Sequence, residues 1–398
     1  MKKSKVLIVF PGLNLDVDEG AKHRLNCHIN EFYKRGYEVT VLAICKSGIF
    51  RKDKKNFMNP IANWILMPYV LPISKNLLLS RMLDIYLGLI LAIVTWLKKY
   101  DIVQMEVQNI RTRICAPSVY VTDIHGDMLH EFVETNGANA KSWFTKYLID
   151  VQKKIAKYSD YCIVVSEKLK KQIEKNTDCR ILNHSVISCG VDYHRFANAE
   201  KQSIHVDLND RIVLGYSGGL QAWQNFDKMI EIVIELRKKL PQVFFLVYTN
   251  NSIDNFKYKL SLIGEENYLV KPLMSSEVPG YLKLFDVGFL LRDNKILNNV
   301  SSPTKICEYL AAGVPMICTQ YSGDYERSIF DRKNGFVLRD SSVTQQEFSE
   351  LLDWLVMVKK NRKQIASECE QAAAKRTFSE EFDKYYNDLM QNFNNSSL

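Results

Sequence analysis

Lys305 and Glu308 stand three residues apart in a stretch that opens with Ser301, Ser302, Pro303 and Thr304 and stops at Gly313. Pro303 fixes φ where a missing N–H costs nothing, and the hydroxyls of Ser301, Ser302 or Thr304 can accept bonds from the free amides of a first helical turn. This spacing predicts a helix whose positive end faces an anion. Glu308, on the first turns, adds a carboxylate suited to hydroxyl groups. A phosphate at the helix start with a diol beside it is what a nucleotide presents.

Two further groups could do chemistry. Ser217, Gly218 and Gly219 follow the apolar run 212–216, and small side chains there let backbone amides approach a diphosphate. His125 lies between Asp123 and Asp127, just past the apolar run 119–122, where an open α/β domain carries functional groups. Metal readings are weaker. Asp16 and Asp18 form an Asp-x-Asp in the first loop, while the pairs His23 and His28, and His125 and His130, have offsets of five that do not align two imidazoles on one helix face. No metal and no cofactor are expected.

The elements that must position these groups are legible as two α/β halves. Residues 5–10 read as a buried strand, 21–35 as a helix closed by Gly36, and 38–44 as a second strand, which together make a βαβ unit. A long apolar helix over 77–100 precedes strands at 102–107 and 119–122, and 161–165 is another strand. The polar residues 197–210 read as a linker. The plan then restarts with a strand at 212–216, a helix at 225–240, strands at 244–248, 268–270, 287–291 and 315–318, and closing helices at 346–359, 362–374 and 379–392. The expected domains are 1–196 and 211–376, with 377–398 as a last helix.

Composition sets the class. With 398 residues, 46% apolar and 25% charged, the chain can bury the cores of two globular domains. Its nine cysteines show no paired CxxC spacing and read as reduced thiols of a cytoplasmic protein. The apolar run at 6–10 is too short for a signal peptide, and the run at 77–97 is interrupted by Arg81 and Asp84, short of the ~20 residues a spanning helix needs. The net charge of +8 is concentrated in residues 1–60, which hold twelve basic against six acidic residues. Residues 50–69 interleave Arg51, Lys52, Lys54 and Lys55 with Phe50, Phe57, Trp64 and Tyr69, a pattern suited to an anionic bilayer surface or to a solvated loop beside a core helix. No nucleic-acid-binding motif accompanies it.

The stretch 301–319, with its Pro-Thr-Lys start, Glu-Tyr-Leu-Ala helix and Gly-x-Pro turn, resembles the nucleotide-sugar-binding segment of the GT-B glycosyltransferases of family 4. Residues 160–167, 186–192 and 377–382 resemble other segments of that family, strongest overall across 212–338. The resemblance implies a GT-B fold, two Rossmann-like domains facing across a cleft, with a C-terminal helix crossing back to the first. It implies transfer of a hexose from a nucleotide sugar, a uridine diphosphate one, to a glycan or lipid-linked acceptor in capsule, exopolysaccharide or lipopolysaccharide assembly, with retention of configuration. Residue by residue it puts His125 near the transferred sugar and Gly20, His23 and Arg24 on the acceptor side. Ser217, Gly218, Gly219, Lys271, Leu273, Ser301, Ser302, Thr304, Lys305 and Glu308 would hold the donor, Lys271 and Leu273 within the turn that meets the base.

Three departures stand out. Cys189 replaces an asparagine before Asp192, the loop 217–225 lacks the family's basic residue, and Val300 stands where many members carry the first of two glutamates. Lys305 is the remaining candidate to supply the lost charge. A non-catalytic partner subunit is the alternative that these departures raise, and nucleotide-sugar epimerisation is a third reading.

Overall fold

The computed structural model describes residues 3–10, 20–52, 58–68, 77–106, 118–137 and 143–394. Asp16 and Asp18, and Lys54, Lys55, Phe57 and Tyr69 of the basic stretch, lie outside the described residues. The chain divides into two compact units, residues 1–188 with 378–398, and residues 189–377.

The first unit is built on seven parallel strands in the order β3-β2-β1-β4-β5-β6-β7: β1 Lys5–Phe10, β2 Glu38–Cys45, β3 Asn63–Pro68, β4 Ile102–Met105, β5 Val119–Ile124, β6 Tyr161–Val164 and β7 His184–Val186. The central strands are near-continuous runs of Val, Ile and Leu because helices cover both faces of the sheet. The helices are α1 (Gly20–Lys34), α2 (Leu77–Leu97), α3 (Met128–Asn136), α4 (Trp143–Tyr158), α5 (Glu167–Thr177) and the final helix of the chain, Phe378–Asn394. On one face Leu25, Ile29 and Phe32 of α1 pack with Phe382, Tyr385 and Leu389 of the final helix. On the other, Leu87, Ile90 and Leu91 of α2 cover Leu7, Val9, Leu42 and Ile44.

The second unit repeats the plan with six parallel strands in the order β10-β9-β8-β11-β12-β13: β8 Ile212–Ser217, β9 Val243–Tyr248, β10 Tyr268–Lys271, β11 Val287–Leu290, β12 Met316–Thr319 and β13 Gly335–Leu338. Its helices are α6 (Tyr193–Ala197), α7 (Phe226–Arg237), α8 (Lys257–Ser261), α9 (Val278–Leu282), α10 (Ile296–Val300), α11 (Thr304–Ala311), α12 (Gln345–Lys360) and α13 (Arg362–Ala374). Gly215 of β8 lies against the Phe285 ring, which an added Cβ would meet at 2.1 Å, so the close approach requires glycine.

Two boundaries differ from the sequence reading. The second unit begins at Cys189, not near residue 197, because the Cys189 amide donates to Ser302 Oγ (3.0 Å) and Phe196 of α6 joins the second core. Residues 63–68, read as part of a basic aromatic surface, form the edge strand β3, where Trp64 and Leu66 pack against one core and Ile65 and Met67 against the other.

Candidate functional site

In the second unit β8 pairs with β11 while their other neighbours, β9 and β12, lie on opposite sides, so the strand order reverses between them. Ligands of open α/β sheets bind outside the strands' carboxyl ends at such a point. There the loop 217–219 leaves β8, Arg292 follows β11 by two residues, and α11 begins. An added Cβ on Gly218, whose φ is +144°, would lie 2.6 Å from Cε and Nζ of Lys305. Two motifs almost ninety residues apart in sequence thus meet at one place, and the glycine is needed both for its backbone angle and for the space the lysine occupies.

The electrostatics of this cluster are unbalanced. Burial pushes the Lys305 ammonium down to about 8, a shift that Glu308 opposes and Arg292 reinforces. Burial likewise lowers the Arg292 guanidinium to about 10. Arg292 is 7% exposed, and among the described residues its side chain has the Trp223 carbonyl, at 2.7 Å, as its recorded acceptor and no carboxylate. Burial raises the Glu308 carboxyl, with Lys305 and Arg195 holding it back. Among the described residues no hydrogen bond is recorded to its oxygens. Two cations with one carboxylate between them leave a positive excess in a half-buried site, where an unpaired charge is costly until an anion arrives. Arg292 was not singled out from sequence; its signal was a basic residue directly after an apolar strand.

The backbone donors are distributed differently from the expectation. The Ser217 amide donates to Tyr309 Oη (3.0 Å), the Gly218 amide to the Tyr248 carbonyl (2.9 Å) and the Leu220 amide to Asn251 Oδ1 (2.9 Å). Of 217–219 only Gly219 retains an N–H with no recorded partner among the described residues, so the loop supplies close approach more than a nest of amides. Nor do the hydroxyls cap α11. Ser301 Oγ donates to the Asn298 carbonyl, and Ser302 Oγ takes bonds from Cys189 and Arg376 (2.9 Å) and gives one to Asp324 (3.2 Å). Among the described residues no side chain accepts from the first turn and the amides of Thr304 and Lys305 have no recorded partner, which leaves them open to a ligand.

Lys271 closes β10, its Nζ bonded to Tyr281 Oη and 3.9 Å from the centre of that ring. Leu273 is buried and its carbonyl accepts from Asn250 (3.1 Å), so this turn is fixed by its own contacts. Val300 is 4% exposed and closes α10, so the position where many members carry the first glutamate is a buried aliphatic one here.

The first unit holds a separate polar cluster. Arg24 is buried, with Nε and Nη2 on the two oxygens of Asp123 (2.7 and 2.8 Å) and Nη1 on the carbonyls of Ile187 and Ser188 (2.9 and 3.1 Å). A guanidinium so engaged ties α1 to β5. His23, on the same helix, is half-buried with Nε2 3.7 Å from Cys27 Sγ, and Gly20, its first residue, is exposed. His125 Nε2 lies 3.1 Å from both Glu106 and Asp123. Burial would push this imidazolium down, but the two carboxylates outweigh it and hold the group up at about 9. At neutral pH His125 is therefore a hydrogen-bond donor, and with Nε2 buried its Nδ1–H is the one a ligand could meet.

Asp127 is spent on structure, capping α3 through Leu129 (3.1 Å) and accepting from Gln152 (3.0 Å) and Asn176 (2.9 Å). His28, Glu106 and Asp123 each offer one possible ligand atom, all within 4.8 Å of one another. The oxygens of Asp123 are already engaged by Arg24, His28 and His125, and the Arg24 and His125 cations supply the charge an ion would bring.

Comparison with known proteins adds the family. Residues 198–372 match the model of group 1 glycosyl transferases and residues 20–195 that of Glycosyltransferase Family 4. A curated Bacillus subtilis protein described as a putative teichuronic acid biosynthesis glycosyltransferase, TuaH, is 27% identical over 187 residues. The match covers 46% of this chain and 46% of that relative, so the chain spans about half the length of the curated relative it matches. Among solved structures, Anabaena HepE in complex with UDP superposes with a TM-score of 0.69 at 13% identity, over 97% of this chain and 100% of that one. WaaG, a glycosyltransferase involved in lipopolysaccharide biosynthesis, gives 0.65 at 13% over 95% and 98%. The pneumococcal O-GlcNAc transferase GtfA, in complex with UDP and GlcNAc, gives 0.67 at 11% over 99% and 100%.

Proposed function

We propose that this chain, a family 4-like GT-B glycosyltransferase by the two family models that between them reach from residue 20 to 372, transfers a sugar from a uridine diphosphate sugar to a glycan or lipid-linked acceptor of a bacterial surface polysaccharide. The observation that carries this reading is the meeting of Lys305, Arg292, Gly218 and the uncapped start of α11 at the strand-order reversal of the second unit, with Glu308 on the same helix. That set matches a diphosphate and the diol of a ribose. Neighbours solved with UDP support the uridine nucleotide, and the teichuronic acid relative supports a polysaccharide product.

In this scheme Lys305, Arg292 and the amides of Thr304 and Lys305 stabilise the leaving diphosphate as negative charge develops on it. Two fixed cations do the work a divalent ion does in other transferases, so we assign no metal. Glu308 accepts from the ribose hydroxyls. The acceptor belongs to the first unit, where His125 donates from Nδ1, and the configuration at the transferred carbon is retained.

Calorimetric titration of the whole chain with UDP and UDP-sugars, followed by assay of UDP release, tests the scheme. Binding that Lys305→Ala weakens strongly and Glu308→Ala weakens for UDP but not for inorganic diphosphate supports it. Normal UDP binding by Glu308→Ala overturns the donor assignment. The burial of Val300 at the position of the absent glutamate favours a second reading, a non-catalytic partner subunit. Tight UDP-sugar binding with no release of UDP by the isolated chain would select it.

A further inference from the structure

Helix α2 turns one apolar face inward and another outward. Leu83, Tyr86, Leu87, Ile90, Leu91 and Val94 cover the sheet. On the opposite side Leu78, Met82, Ile85, Leu89, Ile93 and Trp96 are 67, 46, 63, 60, 57 and 82% exposed. Their spacing of three, four and seven residues makes one straight stripe about 27 Å long at the α-helical rise. A contiguous exposed apolar stripe on a helix already seated in a core marks a surface that another phase covers.

Charge decides which. Arg81 and Lys99 are exposed at the two ends of the stripe. The one acidic residue of α2, Asp84, is half-buried and turned to Tyr147 of α4 (3.5 Å), so the described exposed positions of the helix carry no negative charge. Phe50, 40% exposed, and the exposed Arg51 and Lys52 follow β2 at Cys45, which is opposite Pro68 of β3. The Pro68 carbonyl accepts from Tyr86 of α2 (2.9 Å), which puts these residues at the end of the sheet that meets the middle of α2. A second copy of the chain would bring the same cations to face these. An anionic bilayer brings opposite charge along with an apolar interior, and Trp96 suits its interfacial layer.

We infer that α2 lies in the plane of an anionic lipid bilayer, the stripe from Leu78 to Trp96 sunk to the headgroup boundary and Arg81 and Lys99 on lipid phosphates. No helix among the described residues is long and apolar enough to cross a membrane, which fits attachment by one face. This replaces residues 63–68 as the apolar element of membrane contact, since β3 spends those side chains on the cores. The inference does not rest on sugar transfer: vesicle binding can fail while nucleotide binding in solution holds.

The test is flotation of the whole chain with phosphatidylglycerol-containing and with purely phosphatidylcholine vesicles. The chain is expected to float with the anionic vesicles, weakly with the neutral ones, and the triple variant Ile85→Ser, Leu89→Ser, Ile93→Ser to lose about tenfold or more in binding while still binding UDP. Leu182→Ser, at an 83% exposed apolar residue of the first unit away from α2, should change nothing. Arg81→Glu with Lys99→Glu should lose the preference for anionic lipid. Failure to float with either vesicle, equal flotation of the triple variant, or a lipid-free dimer that the triple variant dissolves would each overturn the inference, the last in favour of a second copy.

Discussion

Arg292 accounts for what the loop 217–225 lacks. In the proposed scheme the buried guanidinium supplies from the end of β11 the cation that the loop after β8 does not carry, and it lowers Lys305 by its charge. Arg292→Ala and Lys305→Ala should each weaken UDP binding by about 10- to 100-fold, the range of a charge-assisted hydrogen bond, and the double variant should bind no better than the weaker single one. Calorimetry reads all three; an unchanged Kd for Arg292→Ala would return the guanidinium to a structural role. A pH dependence follows from Lys305, whose folded value of about 8 lies below its ordinary 10.5. Below 8 the ammonium is charged and UDP binds; as pH rises through 8 the charge is lost and affinity should fall. The sign is opposite for the empty protein. There the unfolded chain binds more protons between 8 and 10.5, so this group's contribution to stability rises across that window. UDP affinity that stays flat from pH 7 to 9.5 would remove Lys305 from the diphosphate.

At the scale of elements, the sequence showed α11, its stop at Gly313 and the strand β12 because each rests on local chemistry: a proline at the entry, an apolar stripe, a glycine at φ +71°. It did not show how the hydroxyls of Ser301 and Ser302 are used, because their partners Asn298, Arg376, Asp324 and Cys189 are set by packing. The same limit hid Arg24, whose place at the opening of α1 suggested a ligand and whose bidentate bond to Asp123 lies 99 residues away. The strand β3 was missed because its residues alternate apolar side chains between two cores and read as an exposed aromatic run. Gly218 is the element-level test. Gly218→Ala should leave the fold of the second unit, measured by circular dichroism, since the atoms its Cβ meets are the flexible end of Lys305. It should nonetheless cost UDP affinity severalfold by displacing that ammonium and straining φ. An alanine variant that binds UDP as the parent does would show that the lysine acts from another rotamer.

Across the whole molecule, the two α/β halves were legible because parallel strands buried on both faces leave unbroken apolar runs separated by helical periods. The return of the chain to its first half was legible only as a resemblance at 377–382; nothing in local periodicity says which sheet a last helix will cover. Its contacts explain the choice. Phe378 and Phe382 meet the His28 ring edge-on at 5.0 and 5.6 Å, Phe382 meets Phe32 at 5.1 Å, and Glu381 accepts from the amide (2.6 Å) and hydroxyl (3.1 Å) of Ser188. The helix thus closes over the face of α1 that carries Arg24 and His28, and the residues that hold His125 in place, Glu106 and Asp123, lie more than 250 positions before it. Phe382 is fully buried, so Phe382→Ala should destabilise the first unit by about 3–5 kcal/mol. Hydrogen exchange separates this from a general loss of fold: amides of β1, β2 and β5 should lose protection while those of β8, β9 and β11 keep theirs and UDP still binds. Equal loss in both sheets would mean that the final helix supports the second unit as well. Unchanged protection throughout would mean that the first unit closes its core without it.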